Sequence, residues 1–221
     1  MFKDRKEAGE LLAERLTQYA GPNTIILALP RGGVPVGYQI AKRLRVPLDV
    51  LIVRKIGAPM QPELAIGAIV DGDAPEVVLN DDLVSQLGIS RFYIDREEQE
   101  LLREIERRQK LYRQGRTGYE VEGRTVIVVD DGIATGATVR AALKALRRGS
   151  PEKLILAVPV APPDTIATLT PEVDDLVCLD VPRGFMAISM FYQRFDQTPD
   201  EEVVRLLAAA RKERAAEASP K

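Results

Sequence analysis

Short apolar runs, each followed by a turn and then a helical period, recur along this chain and constrain its fold more than any other feature. They lie at residues 24–29, 48–53, 125–129, 154–159 and 176–181. These runs do not alternate between polar and apolar residues in the way a half-solvated sheet would require. Strands that are apolar on both faces belong to a parallel sheet covered by helices on its two sides. In such sheets ligands bind outside the carboxyl ends of the strands, so the residues that follow each run are where function is sought.

The periodicity between the runs fills in the rest. Leu11, Leu12 and Leu16 share one face of a helix over about residues 3–19, stopped by Gly21-Pro22. Val36, Ile40 and Leu44 mark a second helix, and Val139, Leu143 and Leu146 another. Residues 54–62 read as a loop with two prolines and a glycine. Residues 65–70 and 76–79 read as a β-hairpin around Asp71-Gly72-Asp73. A long charged helix follows over about residues 90–114, with Glu104/Arg108 and Glu106/Lys110 as i,i+4 pairs. Its apolar stripe (Ile94, Leu101, Ile105, Tyr112) is narrow, and fits either a contact with the body or a partner, or a largely solvated helix. Residues 164–169 make a short helix. The last helix starts with Thr198 as N-cap, Pro199 at the first position and Glu201 completing a capping box, and frays over 213–221.

Composition narrows the chemistry. The length of 221 residues suits one domain with a sizeable core. A formal net charge of −2 argues against nonspecific binding to nucleic acid or an anionic membrane. With no histidine, a Ser-His-Asp triad, a Cys-His pair and His-ligated zinc are all excluded. One cysteine, Cys178, precludes an internal disulfide, and its apolar surroundings suit a core residue. The charged amphipathic start is unlike a signal peptide, and no apolar run reaches membrane-spanning length. The expectation is a cytoplasmic protein.

The run at 125–129 ends in Asp130-Asp131-Gly132-Ile133-Ala134-Thr135-Gly136-Ala137-Thr138. Small, hydroxylated residues opening a helix form an anion cradle of backbone N–H groups, helix dipole and threonine hydroxyls. The loop lacks the lysine of an ATPase P-loop. A phosphate met by backbone dipoles suits a monoester, and two acceptor-only carboxylates beside it suit vicinal sugar hydroxyls. Together they describe a ribose 5-phosphate site.

The stretch Val126–Thr138 closely resembles the signature of type I phosphoribosyltransferases, and the wider resemblance covers about residues 20–200. It implies an α/β fold with a central parallel sheet flanked by helices. A single domain over 1–221 would carry a lid, hairpin and long-helix insertion at 57–120 and a small C-terminal hood at 182–198. Asp130 and Asp131 would contact the ribose hydroxyls of phosphoribosyl pyrophosphate. Residues Ile133, Ala134, Thr135, Gly136, Ala137 and Thr138 would hold its 5-phosphate. The turn Pro30-Arg31-Gly32-Gly33, which on its own fits an ordinary turn equally well, resembles the family's pyrophosphate loop, with Arg31 supplying fixed charge.

Arg54-Lys55 stand where two cations would meet a diphosphate, Lys55 in a catalytic role; the bland alternative is a surface ion pair. Residues 57–62 fall where the family places a mobile lid, and Glu63 is an acid/base candidate there. The segment after the last strand holds four of the chain's eleven aromatics. Phe185, Phe191 and Tyr192 would either stack on the acceptor ring or pack the C-terminal helix.

Mg²⁺ would arrive with the donor, leaving no fixed protein metal ligand. The expected partners are phosphoribosyl pyrophosphate and a nucleobase-like acceptor, with the Arg-rich long helix available for a homodimer contact. The acceptor half of the site is not marked in the sequence. The competing reading is a non-catalytic sensor of the same donor on the same fold.

Overall fold

The computed structural model describes residues 1–72 and 75–218. A five-stranded, fully parallel sheet has the order β2-β1-β6-β7-β8. Its strands are β1 (Thr24–Ala28), β2 (Leu48–Val50), β6 (Thr125–Val129), β7 (Lys153–Val160) and β8 (Asp175–Asp180). Between them lie β3 (Val53–Ala58), β4 (Gln61–Val70) and β5 (Glu76–Leu79), which form a separate antiparallel sheet. The helices are α1 (Arg5–Arg15), α2 (Gly33–Leu44), α3 (Asp81–Gln86), α4 (Arg91–Arg113), α5 (Ala137–Arg148), α6 (Pro163–Leu169) and α7 (Asp200–Ala218).

The two-residue period of the central strands divides the core. Ile26, Ala28, Ile127, Val129, Ile155 and Ala157 face α1, α2 and α7. Ile25, Leu27, Val126, Val128, Leu154 and Leu156 face α5 and α6. Both faces are dry, which is why these strands are apolar throughout. Val36, Ile40 and Leu44 of α2, and Val139, Leu143 and Leu146 of α5, are all buried. The long helix α4 opens on Ser90, whose hydroxyl accepts from the Tyr93 amide at 3.3 Å. Its stripe packs on the body, with Ile94, Ile105 and Tyr112 buried.

Several boundaries differ from the sequence expectation. The run 48–53 is not one strand: the chain leaves the parallel sheet after Val50 and joins the antiparallel sheet at Val53. The apolar pattern runs on because both sheets are covered. Residues 54–62 are consequently not a loop. Arg54 and Lys55 lie within β3, and the turn is only two residues, Pro59 and Met60. Met60 has φ +62°, the dihedral needed after Pro in a type II turn. The first helix stops at Arg15, followed by a 3₁₀ turn over Thr17–Tyr19.

Strand β8 is half-buried along its whole length because it is the sheet's edge, paired only with β7. Cys178 within it is half-buried, and burial pushes its thiol up to about 11. The Pro199 carbonyl accepts the first backbone bonds of α7, from Glu202 and Val203, so the cap falls one residue later than Thr198. The 71–73 turn extends partly outside the described residues; the fraying expected over 213–221 is not found at 213–218, which continue α7, and the rest of that segment lies outside the described residues. Among the described residues no helix is long and apolar enough to cross a membrane.

Candidate active site

Two loops meet at the carboxyl end of the sheet. The first follows β1 and the second follows β6, its neighbour in the sheet. They interlock through glycines. A Cβ at Gly33 would lie 2.7 Å from the Val129 carbonyl oxygen and 3.0 Å from Asp130 Cα. A Cβ at Gly32 would lie 2.5 Å from Asp131 Cγ and closer still to its carboxylate. Gly32 has φ −64°, which any residue adopts, so glycine is needed there for close approach. The Pro30–Arg31 peptide in this loop is cis.

The carboxylates at the end of β6 are tightly held. Asp131 is buried, and its amide donates to Asp130 Oδ1 at 2.8 Å. Arg5 Nε donates to Asp131 Oδ2 at 2.7 Å, and the Tyr192 hydroxyl donates to the Asp131 carbonyl at 2.6 Å. Burial, reinforced by the neighbouring Asp131 charge, pushes the Asp130 carboxyl well above the usual carboxylate range. Burial also raises Asp131, against the opposing pull of the Arg5 guanidinium.

Beyond them the chain turns into α5. Ile133 is buried and its amide bonds the Val160 carbonyl at 2.9 Å, which anchors the loop. Ala134, Thr135 and Ala137 are exposed and Thr138 is half-buried. Gly136 has φ +75°, and a Cβ there would meet Thr165 Cγ2 at 2.9 Å. Thr165 in turn donates to the Ala134 carbonyl at 2.6 Å, so α6 props the loop. The unpaired N–H groups of α5's first turn, with two threonine hydroxyls beside them, make a surface suited to a phosphate.

The other candidates are distributed differently. Arg31 Nη1 lies 3.9 Å from Asp200 Oδ1, at the start of α7. The Tyr112 hydroxyl donates to the same oxygen at 2.5 Å. Burial first, and this bond second, push Tyr112 up to about 12. Arg54 turns toward α4 and pairs with Glu104 at 2.7 Å, where Arg107 and Arg108 also bind. Lys55 is exposed on β3. The side chain of Glu63 lies outside the described residues.

Phe185 and Phe191 are half-buried and stack at 5.5 Å, 15° apart. Tyr192 is not with them. It is buried between Phe2, at 5.5 Å, and Phe195, at 4.9 Å, which occupies its ring surface and leaves the hydroxyl for Asp131. The sequence reading missed Arg5. It lies 126 residues from its partner and looks like any charge on an amphipathic helix.

Among the described residues, no three His, Cys, Asp or Glu side chains converge to hold a metal.

Paired carboxylates and a helix N-terminus at the carboxyl edge of a parallel sheet define an α/β fold with its candidate site where such folds bind ligands. The chain belongs to the phosphoribosyl transferase family: the sequence profile described as "Phosphoribosyl transferase domain" matches residues 3–185. Proteins from two strains of Mycobacterium tuberculosis, named provisionally as phosphoribosyl transferases, are each 46% identical over 213 residues. The match covers 96% of this chain and 48% of each relative, so the chain spans about half the length of the curated relatives it matches. The crystal structure of TT1426 from Thermus thermophilus superposes with a TM-score of 0.83 at 38% identity, covering 94% of this chain and 98% of that one.

Proposed function

We propose that the chain transfers the 5-phosphoribosyl group of phosphoribosyl pyrophosphate to a ring nitrogen of a nucleobase-like heterocycle, releasing pyrophosphate. One observation carries this reading: the Gly32-Gly33 backbone rests directly on Asp130 and Asp131. A diphosphate on the first loop and a ribose over the second would then share one anomeric carbon.

The 5-phosphate would lie on residues 133–138. The carboxylates of Asp130 and Asp131 would accept from the ribose hydroxyls. As the bond from the anomeric carbon to the diphosphate oxygen breaks, its electron pair leaves with pyrophosphate and positive charge grows on the sugar, as in glycoside hydrolysis. The fixed carboxylates stabilise that charge, and the first-loop amides with Arg31 stabilise the leaving group. The acceptor's lone pair closes the new bond, and any proton on that nitrogen passes to water. Phe185 and Phe191 are the aromatic surface available to the acceptor. The site offers hard oxygen donors but no closed protein ligand set, which fits Mg²⁺ held mainly by donor oxygens and water, where it would neutralise diphosphate charge.

The test is pyrophosphate release from phosphoribosyl pyrophosphate and Mg²⁺ with pooled purines, pyrimidines and related heterocycles. Release that depends on one pool and disappears in Asp130→Asn and Asp131→Asn supports transfer. Tight donor binding with no release from any pool assigns the chain as a donor-binding regulator instead.

A further inference from the structure

We propose that Arg5 is a positioning residue that fixes the Asp131 carboxylate and ties it to the segment 191–196, so that one side chain sets the donor's ribose contact and the roof over the acceptor together. The proposal rests on the transferase reading above.

The Phe2 amide donates to the Phe191 carbonyl at 2.7 Å, the Gln193 amide to the Phe2 carbonyl at 2.8 Å, and the Arg194 amide to the Lys3 carbonyl at 3.0 Å. Asp4 caps α1 by accepting from the Glu7 amide and also pairs with Arg194. Arg5 therefore leaves a clamped segment.

Its guanidinium uses three directions. Nε meets Asp131 Oδ2 at 2.7 Å, Nη1 meets the Asp196 carbonyl at 2.7 Å, and Cζ lies 4.0 Å from the Phe195 ring centroid. Phe195 stacks on Tyr192, whose hydroxyl returns to the Asp131 carbonyl. Side chain and backbone of Asp131 are thus joined in one closed circuit. The Arg5 and Asp131 side chains are only 13% and 12% exposed, so water screens the pair weakly. A planar fork makes these contacts simultaneously, and the point charge of lysine does not. The charged or titratable groups facing Asp131 are Arg5 from α1, Asp130 from its own loop and the Tyr192 hydroxyl; the Gly32 backbone brings no charge.

The experiment compares the full chain with Arg5→Lys, Arg5→Met and Phe195→Leu. It reads kcat and KM for phosphoribosyl pyrophosphate, the acid limb of kcat/KM, and urea unfolding. Arg5→Met is expected to lower kcat about 100-fold with a smaller change in KM, and to move the acid limb to higher pH because Asp131 loses its cation. Arg5→Lys is expected to recover the acid limb but only part of kcat, and Phe195→Leu to resemble Arg5→Lys. Wild-type kcat and acid limb in a folded Arg5→Met overturn the proposal. If Arg5→Met does not fold, a fully active Arg5→Lys overturns it. A wild-type chain that binds ribose 5-phosphate but releases no pyrophosphate overturns the transfer reading alone. The pH dependence of ribose 5-phosphate binding in the same variants then decides the role of Arg5.

Discussion

Adding one methyl group at position 32 would drive it into the Asp131 carboxylate, although the backbone there suits any residue. The cost of Gly32→Ala is therefore steric and local. Overpacking of this kind costs about 1–3 kcal/mol, or roughly 5- to 150-fold in binding if it falls on the ligand complex. Calorimetric titration with phosphoribosyl pyrophosphate should show that loss with the fold retained. Asp130→Asn should do the reverse to stability. Asp130 is raised by burial, so across the interval between the ordinary carboxylate range and its native value the folded chain holds a proton that the unfolded chain releases. Stability then falls as pH rises through that interval. The asparagine variant should melt higher at neutral pH and lose turnover, as measured by calorimetry and pyrophosphate release. The place of the 130–138 loop, between β6 and the first turn of α5, was legible because the stretch is contiguous and follows an apolar run. Arg5 was not, because nothing local in the sequence distinguishes it from other helix-surface arginines.

The antiparallel sheet and α4 are joined to the central sheet by a buried charge network. Asp71 Oδ2 accepts from Arg113 Nη2 at 2.7 Å, and Asp71 Oδ1 accepts from the Ile52 amide at 2.7 Å. Arg113 also reaches Asp49 at 3.4 Å and the Val50 carbonyl at 3.2 Å. The Tyr119 hydroxyl donates to the Asp71 carbonyl at 2.7 Å. Burial raises both carboxyls, and Arg113 opposes it. Arg113→Ala would strand the buried Asp71 carboxylate and the half-buried Asp49, which costs about 3–5 kcal/mol. Urea unfolding should register that loss, with hydrogen exchange rising first in β3 and β4. The hairpin and the long helix were readable from their periodicity. The break between β2 and β3 was not, since both strands are covered and nothing polar marks the change of sheet. Asp71, which reads as a turn residue, is instead the counter-ion of the last residue of α4.

At the scale of the whole molecule, the donor should act as a stabilising ligand. At 100 times its dissociation constant, a ligand specific for the native state adds about 2.7 kcal/mol. For a chain of this size that is roughly 5–11 °C in melting temperature. Thermal scans with phosphoribosyl pyrophosphate should show a shift of that order with Mg²⁺, much reduced when EDTA removes the cation. The parallel order of the sheet was foreseeable from strands that are apolar on both faces. The joining of residues 2–5 to residues 191–196 was not, because that contact spans almost the whole chain.

That long-range clamp bears on how the protein is made. At about 5–20 residues per second, a ribosome takes roughly ten to forty seconds to reach Phe191 after Phe2 has been added. Over that interval the growing chain can assemble the sheet from β1 to β7, but Arg5 has no platform and Asp131 no guanidinium held in place. The Arg5–Asp131 pairing therefore forms only once residues 191–196 have been made, however early the strands beneath it have formed.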